Sequence, residues 1–288
     1  MKVALFHNAD AGDGRASQEI AASLARQGHQ LVCVVENEAD APRLLEEQSD
    51  LVVAAGGDGT VALVARLVAG HDVAMAILPG GTANNIALTL GIDGSLDEVI
   101  HAWHENRRRR LDLGVASGPW GQRLFVESVG VGLVQAGIAA ADCRRSEDVE
   151  RLASSLARTA QLYREALASL QPSQCTVTVD GRRFRGKYLL IEALNMPFVG
   201  PNLVFASKAD PGDGLLTVVL ADEHQRRPLD DYLRHRMEGT DCPVSLPSYQ
   251  GQRVKIAGPR SLHLDDETLS VEESVSLHIS RASLEVLL

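Results

Sequence analysis

The feature that most constrains this chain is a series of apolar segments that do not alternate with polar residues. Leu51-Val52-Val53-Ala54-Ala55 runs straight into Gly56-Gly57-Asp58-Gly59-Thr60, and a helical pattern begins near Val61. A strand that is apolar at every position must be buried on both faces, which is the condition of a mainly parallel sheet covered by helices. The same step recurs on either side. Val3-Ala4-Leu5-Phe6 precedes a turn-rich stretch from Asn8 to Gly14 and a helix carrying Ile20 and Leu24 that ends by Gly28. Leu31 to Val35 is another apolar run, after which Asp40 and Pro42 mark a helix start. Val73 to Leu78 leads into Pro79-Gly80-Gly81-Thr82, then a helix from about Ala83 to Leu90 that stops at Gly91.

The pattern changes after about residue 112. Cys175 to Val179, then Asp180-Gly181, then Arg182 to Arg185 predicts a hairpin, because Asp-Gly supplies the positive φ angles of a type I′ turn. Further short runs at Tyr188 to Ala193, Leu215 to Leu220, Val254 to Ala257, Leu262 to Leu264, Val275 to Ile279 and Leu284 to Leu287 follow one another with turn residues between. Strands following strands predict an antiparallel sandwich or barrel. One long helix, Glu147 to Leu170, interrupts them with Leu152, Leu156, Ala160, Tyr163, Leu167 and Leu170 on one stripe, which is core packing. The fold class is therefore α/β plus all-β, with an α/β domain over residues 1–115 and a β-rich domain over 116–280. Residues 281–288 can return to the first domain.

The chemistry concentrates in the glycine-rich turns. Glycines at the mouth of a helix let backbone come close to a ligand, and the first amides of the helix suit a phosphate. Gly56 to Thr60 has that form, with Asp58 placed to order a metal ion, a water or a hydroxyl beside it. Leu78 to Asn85 repeats it after the next strand, so two such turns face the carboxyl edge of one sheet, where α/β proteins bind ligands. A net charge of −10 argues against nucleic acid as the main partner and gives any membrane contact no support from global charge. Cys33, Cys143, Cys175 and Cys242 show no metal-ligand or disulfide spacing, and no apolar run is long enough to span a bilayer. A soluble cytoplasmic protein is expected. The arginines Arg107 to Arg110 read first as a solvated charge run.

With these residues in view, the chain resembles the diacylglycerol kinase and sphingosine kinase family of lipid kinases, in its compact bacterial form. Asn8 to Gly14 looks like the family's first glycine-rich loop, Gly56 to Thr60 its signature loop, and Leu78 to Asn85 its L-P-x-G-T-A-N segment. Phe125 to Gly132 looks like its F-x-N-x-x-G-x-G strand and turn, Gly212 to Leu216 its D-G-L-L turn, and Leu264 to Glu267 its L-D-G-E motif. The chain departs from the pattern at Glu127 (Asn in the family), Val134 (commonly Asp), Met196, Pro201 and Asp266 (Gly).

The resemblance implies an NAD-kinase-like first domain and transfer of the γ-phosphate of ATP, with magnesium, to a hydroxyl of a lipid such as diacylglycerol or a sphingoid base. It implies that Asn8, Gly56, Gly57, Asp58, Gly59, Thr60, Val61, Ala62, Gly81, Thr82 and Asn84 hold the nucleotide, with Asp58 in the magnesium and phosphate network. Glu267 falls at the proton acceptor, with Asp265 as a companion carboxylate. Asp210, Asp213 and the Leu215 backbone fall at a structural magnesium site. A lipid reached by peripheral membrane contact is the implied partner, and a homodimer is compatible with it. The alternatives are an NAD kinase-like or other small-molecule kinase, since the Gly-Gly-Asp-Gly loop is shared more widely, and a non-catalytic nucleotide or lipid sensor.

Overall fold

The computed structural model describes residues 1–8, 16–46, 48–147, 156–240 and 242–288. The chain divides into two compact units, Met1–Asp112 with Arg281–Leu288, and Leu113–Ser280.

The first unit opens with β1 (Lys2–His7), α1 (Ser17–Arg26), β2 (Gln30–Val35), β3 (Leu51–Gly56), α2 (Asp58–Val68), β4 (Ala74–Pro79), α3 (Asn85–Leu90) and α4 (Leu96–Ala102). Its strands lie parallel in the order β2-β1-β3-β4. Continuous apolar sequence is what this demands: β3 is buried at all six positions. The helix expected to start at Asp40 is instead a 3-10 helix over Glu38–Leu45, capped by Asn37, whose side chain accepts from the Ala39 amide at 3.0 Å. Pro42 sits inside it and has no N–H to give an α-helical ladder, so the tighter turn wins. The Arg107 to Arg110 run spends its charge locally: Arg107 pairs with Glu105 at 3.0 Å and Arg108 with Glu285 at 2.6 Å. Of the first glycine-rich loop, residues 9–15 lie outside the described residues.

The strand β5 (Arg108–Gly118) carries the chain into the second unit, which holds β6 (Gly121–Phe125), β7 (Ser128–Gly132), α5 (Leu133–Glu147), α6 (Leu156–Ser169), β8 (Ser173–Val179), β9 (Arg182–Leu194), β10 (Phe198–Val199), β11 (Leu203–Val204), β12 (Leu216–Asp222), α7 (Arg226–Met237), β13 (Ser248–Gly251), β14 (Arg253–Ala257), β15 (Ser261–Leu264), β16 (Glu267–Ser270) and β17 (Ser274–Leu287). Pairing is antiparallel in the order β16-β15-β7-β9-β8-β14-β17, with β12 laid against β9 and β13 against β12. The β8–β9 hairpin turns at Asp180 (φ 43°) and Gly181 (φ 86°), both positive as a type I′ turn requires. One apolar cluster fills the sheet around Phe125, Val177, Ile191, Ile256 and Leu277. A second packs Tyr163, Leu167, Tyr232 and Leu233 of α6 and α7 on Leu190, Leu194 and Val219.

Two expectations are refined here. The helix expected over Glu147 to Leu170 is present as α6 over Leu156–Ser169, while residues 148–155, including Leu152 of the expected stripe, lie outside the described residues; what the expectation lacked is α5 and α7. The two apolar runs at 275–279 and 284–287 belong to one strand, β17, which bends at Ala282 (φ 48°). Its end returns to the first unit, where Val286 and Leu287 pair in parallel with Met75 and Ala76 of β4 and the Ala282 amide donates to Asp112 at 2.7 Å. No disulfide joins the described cysteines, and burial pushes the Cys175 thiol up to about 11. No helix among the described residues is long and apolar enough to cross a membrane.

Candidate functional site

In the first unit, parallel pairing of β3 and β4 sets Gly56 opposite Pro79, so the two glycine-rich turns leave the sheet side by side. They touch through backbone. The Gly80 amide donates to the Gly56 carbonyl at 2.9 Å, and a Cβ placed on Gly81 would lie 2.5 Å from the Gly57 Cα. Glycine at 81 is what allows this approach, and a Cβ on Gly57 would be tight as well, 3.2 Å from the Gly81 Cα. Asp58 then ties the turns together, its Oδ1 accepting from the Ile86 amide at 3.0 Å. Asn84 adopts a left-handed conformation (φ 51°), and its side chain closes the second turn by accepting from the Gly81 amide and donating to the Gly81 carbonyl, both at 2.8 Å. From the end of β1, the Asn8 side chain donates to the Thr60 hydroxyl at 3.2 Å.

The amides of Gly59 and Thr60 lie in the first turn of α2, behind which no helical carbonyl stands. Together with the macrodipole they favour an anion. Thr82 is exposed beside them. Val61 and Ala62 are placed differently from the expectation: each is 2% exposed, with its side chain in the core, and the Val61 amide already bonds to the Gly57 carbonyl at 3.0 Å. Helical periodicity turns these two inward, so they support the turn and do not line it. Gly81→Ala is expected to displace one turn from the other, costing about 1–3 kcal/mol of stability and weakening nucleotide binding in the same variant. Thermal unfolding with and without ATP measures both, and an unchanged ATP-induced shift would mean that the contact is not needed.

In the second unit, the acidic motif separates into residues with different tasks. Asp265 is buried, and its carboxylate accepts from the amides of Val126 at 3.1 Å and Glu127 at 2.9 Å. Its oxygens fix the loop before β7, a clamping role that the sequence did not reveal. Asp265 is also the residue with positive φ (48°), a conformation that Asp tolerates, so Asp266 does not need the freedom of the family's glycine. Glu267 is about half exposed and pairs with Arg123 of β6 at 2.5 Å, which fixes the direction of its carboxylate.

Beneath this turn lies a buried polar cluster that the sequence reading did not single out. His263 and Glu192 are both fully buried; the His263 Nε2 sits 2.9 Å from one Glu192 oxygen and 3.1 Å from the other, while its Nδ1 faces the Asp265 carbonyl at 2.9 Å. Both ring nitrogens therefore face acceptors. Glu192 lies near the C-terminal end of β9, between β7 and β12, and a Cβ on Gly130 opposite it would lie 2.1 Å from its carboxylate. The available signal was one charged residue in each of two apolar runs, Leu190-Ile191-Glu192-Ala193 and Leu262-His263-Leu264.

In the loop before β12, Asp210 accepts from the Gly212 amide at 2.9 Å and Asp213 from the Leu215 amide at 2.8 Å. Each carboxylate spends one oxygen on its own turn. No group of three or more His, Cys, Asp or Glu side chains able to hold a metal occurs among the described residues. Any cation here would depend on the remaining carboxylate oxygens and backbone carbonyls, an all-oxygen set that suits magnesium.

Residues 2–116 match the family model of the diacylglycerol kinase catalytic domain, and residues 132–287 match that of the YegS C-terminal NAD kinase beta sandwich-like domain. Among curated relatives, a diacylglycerol kinase of Mycobacterium tuberculosis is 27% identical over 242 residues, covering 79% of this chain and 75% of its own. A crystal structure of a diacylglycerol kinase from Bacillus anthracis superposes with a TM-score of 0.72 at 17% identity, over 99% of this chain and 96% of that one. An NAD kinase from Archaeoglobus fulgidus in complex with ATP gives 0.54 at 11% identity, over 100% and 94%. The chain therefore belongs to the diacylglycerol kinase-like lipid kinase family, matching a diacylglycerol kinase catalytic domain followed by a YegS-type β-sandwich domain.

Proposed function

We propose that this protein is an ATP-dependent lipid kinase that moves the γ-phosphate of ATP to a lipid hydroxyl. The observation that carries the reading is the backbone contact between the Gly57 and Gly81 turns, bridged by Asp58, at the carboxyl edge of a parallel sheet. Such an edge accepts phosphates through amides. Gly56, Gly57, Gly59, Thr60, Gly81, Thr82, Asn84 and Asn8 form the nucleotide side. The Asp58 carboxylate is the group that fits magnesium there, since this ion is usually held by one or two carboxylates and the substrate's own phosphates. When bound, magnesium supplies neutralisation of charge on the transferred group.

A lipid hydroxyl is a poor nucleophile near neutral pH, so a carboxylate must take its proton. Glu267 is that base, oriented by Arg123; Asp265 holds the loop against which the motif turns. The test is transfer of label from γ-labelled ATP to lipids extracted from cells, run beside NAD as acceptor. A phosphorylated lipid supports the reading, labelled NADP replaces it with an NAD kinase-like one, and ATP binding without transfer to anything leaves a sensor.

Asp213 provides a separate check on magnesium. Asp213→Ala removes a turn hydrogen bond and is expected to cost about 1 kcal/mol in chelator, with a larger loss in magnesium, because a ligand bound to the native state raises its stability. Equal losses in the two conditions would make Asp213 an ordinary turn residue.

A further inference from the structure

The outer surface of the second unit carries a charge that the whole chain does not. Along β8, Cys175, Val177 and Val179 point into the core, so Gln174, Thr176 and Thr178 point out. Register then fixes what stands beside them. Arg183, Arg185 and Lys187 of β9 face Thr178, Thr176 and Gln174. Lys255 of β14 faces Thr178 on its other side and Ser276 of β17, while Arg253 faces His278. The five lysines and arginines are exposed, and Arg253, Lys255 and His278 line an open groove with Thr178 and Ser276. No Asp or Glu stands at an outward position of these rows, in a chain where Asp and Glu outnumber Lys and Arg 38 to 28. Of the carboxylates at its borders, Asp180 at the hairpin tip is held by the backbone amides of Gln252 and Arg253, and Glu272 and Glu273 lie just before β17, at the opposite end of its pairing with β14 from Arg253 and His278.

This four-stranded face is wide and regular, and its charges are spread over neighbouring strands instead of converging on one point. It is matched to a broad anionic surface. The negative charge elsewhere on the chain does not cancel it, because exposed charges more than about 8 Å apart are largely screened at physiological salt. We propose that this face, through Arg183, Arg185, Lys187, Arg253 and Lys255, docks the protein on the anionic headgroups of a lipid bilayer. The proposal rests on the lipid kinase reading above, which requires an acceptor that resides in a membrane, and it adds the surface and the lipid charge by which that membrane is met.

The experiment is co-sedimentation of the full chain with vesicles of phosphatidylcholine alone or with about 30% phosphatidylglycerol, at low and high salt. Binding is expected only with the anionic vesicles and is lost at high salt. Each basic residue at such a surface contributes about fivefold in partitioning, so Arg183→Gln/Arg185→Gln/Lys255→Gln together reduce it by about 10²-fold. Lys208→Gln/Arg227→Gln, which removes exposed charge of the same unit away from the face, leaves binding unchanged, and thermal unfolding confirms that both variants are folded. Triple-variant partitioning equal to that of the wild type overturns the proposal. So does displacement by inorganic phosphate at matched ionic strength, which indicates a site for free anions, and so does tighter binding to duplex DNA than to the vesicles. Wild-type turnover of a short-chain acceptor in solution tests the kinase reading separately: no transfer with charge-dependent vesicle binding defeats that reading and leaves the docking face standing, whereas transfer with charge-independent binding does the reverse.

Discussion

Glu192→Leu lowers the stability of the second unit by about 3–5 kcal/mol, the cost of stranding one partner of a buried ion pair. The loss is large because, among the described residues, Glu192 is the partner of the His263 Nε2, and His263 is fully buried. Glu192→Leu/His263→Phe recovers most of the loss, since exchanging both partners for apolar groups leaves no polar atom unsatisfied. The pair also makes stability depend on pH. Burial alone pushes the His263 imidazole down, but the Glu192 charge and the hydrogen bonds to Glu192 and the Asp265 carbonyl outweigh it and hold His263 above its ordinary value of 6.5. A raised value means that the folded chain binds the proton more tightly than the unfolded one. The stabilisation is therefore complete below about pH 6.5 and is lost as pH rises through the higher folded value. Around the pair, burial pushes the Tyr163 phenol up, and Glu192, Glu127 and Asp142 add to it, as expected of a pocket rich in negative charge. Urea unfolding of the wild type and both variants from pH 6 to pH 9 checks these statements. Equal losses in the single and double variants, or a pH slope retained in Glu192→Leu, would show that the two side chains are not coupled.

The parallel sheet was legible because burial on both faces leaves a mark at every position, as the six consecutive buried residues of β3 show. The β8–β9 hairpin was legible because Asp180-Gly181 has a local conformational requirement. Where the structure depends on distant partners, the sequence was silent. The helix α5 begins with Leu133-Val134-Gln135-Ala136-Gly137 and continues through small residues without an amphipathic stripe, so periodicity had little to report. The middle of β17 is Ser280-Arg281-Ala282-Ser283, which reads as a loop; it is held as strand by Asp112, 170 residues earlier. At the candidate site the backbone turns were visible, since glycine is required where two chains pass closely. The division of labour among the carboxylates was not visible. Asp265 and Glu267 are the same chemistry two residues apart, and only the amides of Val126 and Glu127 separate a buried clamp from an exposed carboxylate.

That division is what Glu267→Gln tests. Glutamine keeps the size of the side chain and an oxygen for the Arg123 guanidinium, so the ion pair becomes a hydrogen bond and the β15–β16 turn is preserved. What it removes is the ability to take a proton from the acceptor hydroxyl. Turnover with ATP and a lipid acceptor is expected to fall by about 10²-fold or more, the lower end for loss of a general base, while ATP binding persists because the nucleotide turns are untouched. Asp265→Asn is expected to behave differently. Its side-chain amide can retain one acceptor for the Val126 and Glu127 amides, but it loses the charge that strengthens those bonds, so thermal stability falls along with turnover. A single-turnover measurement at saturating ATP, paired with the unfolding midpoint of each variant, separates the two. If Glu267→Gln turns over a good lipid acceptor at the wild-type rate, Glu267 is not the base, and Asp58 becomes the carboxylate to examine for that proton.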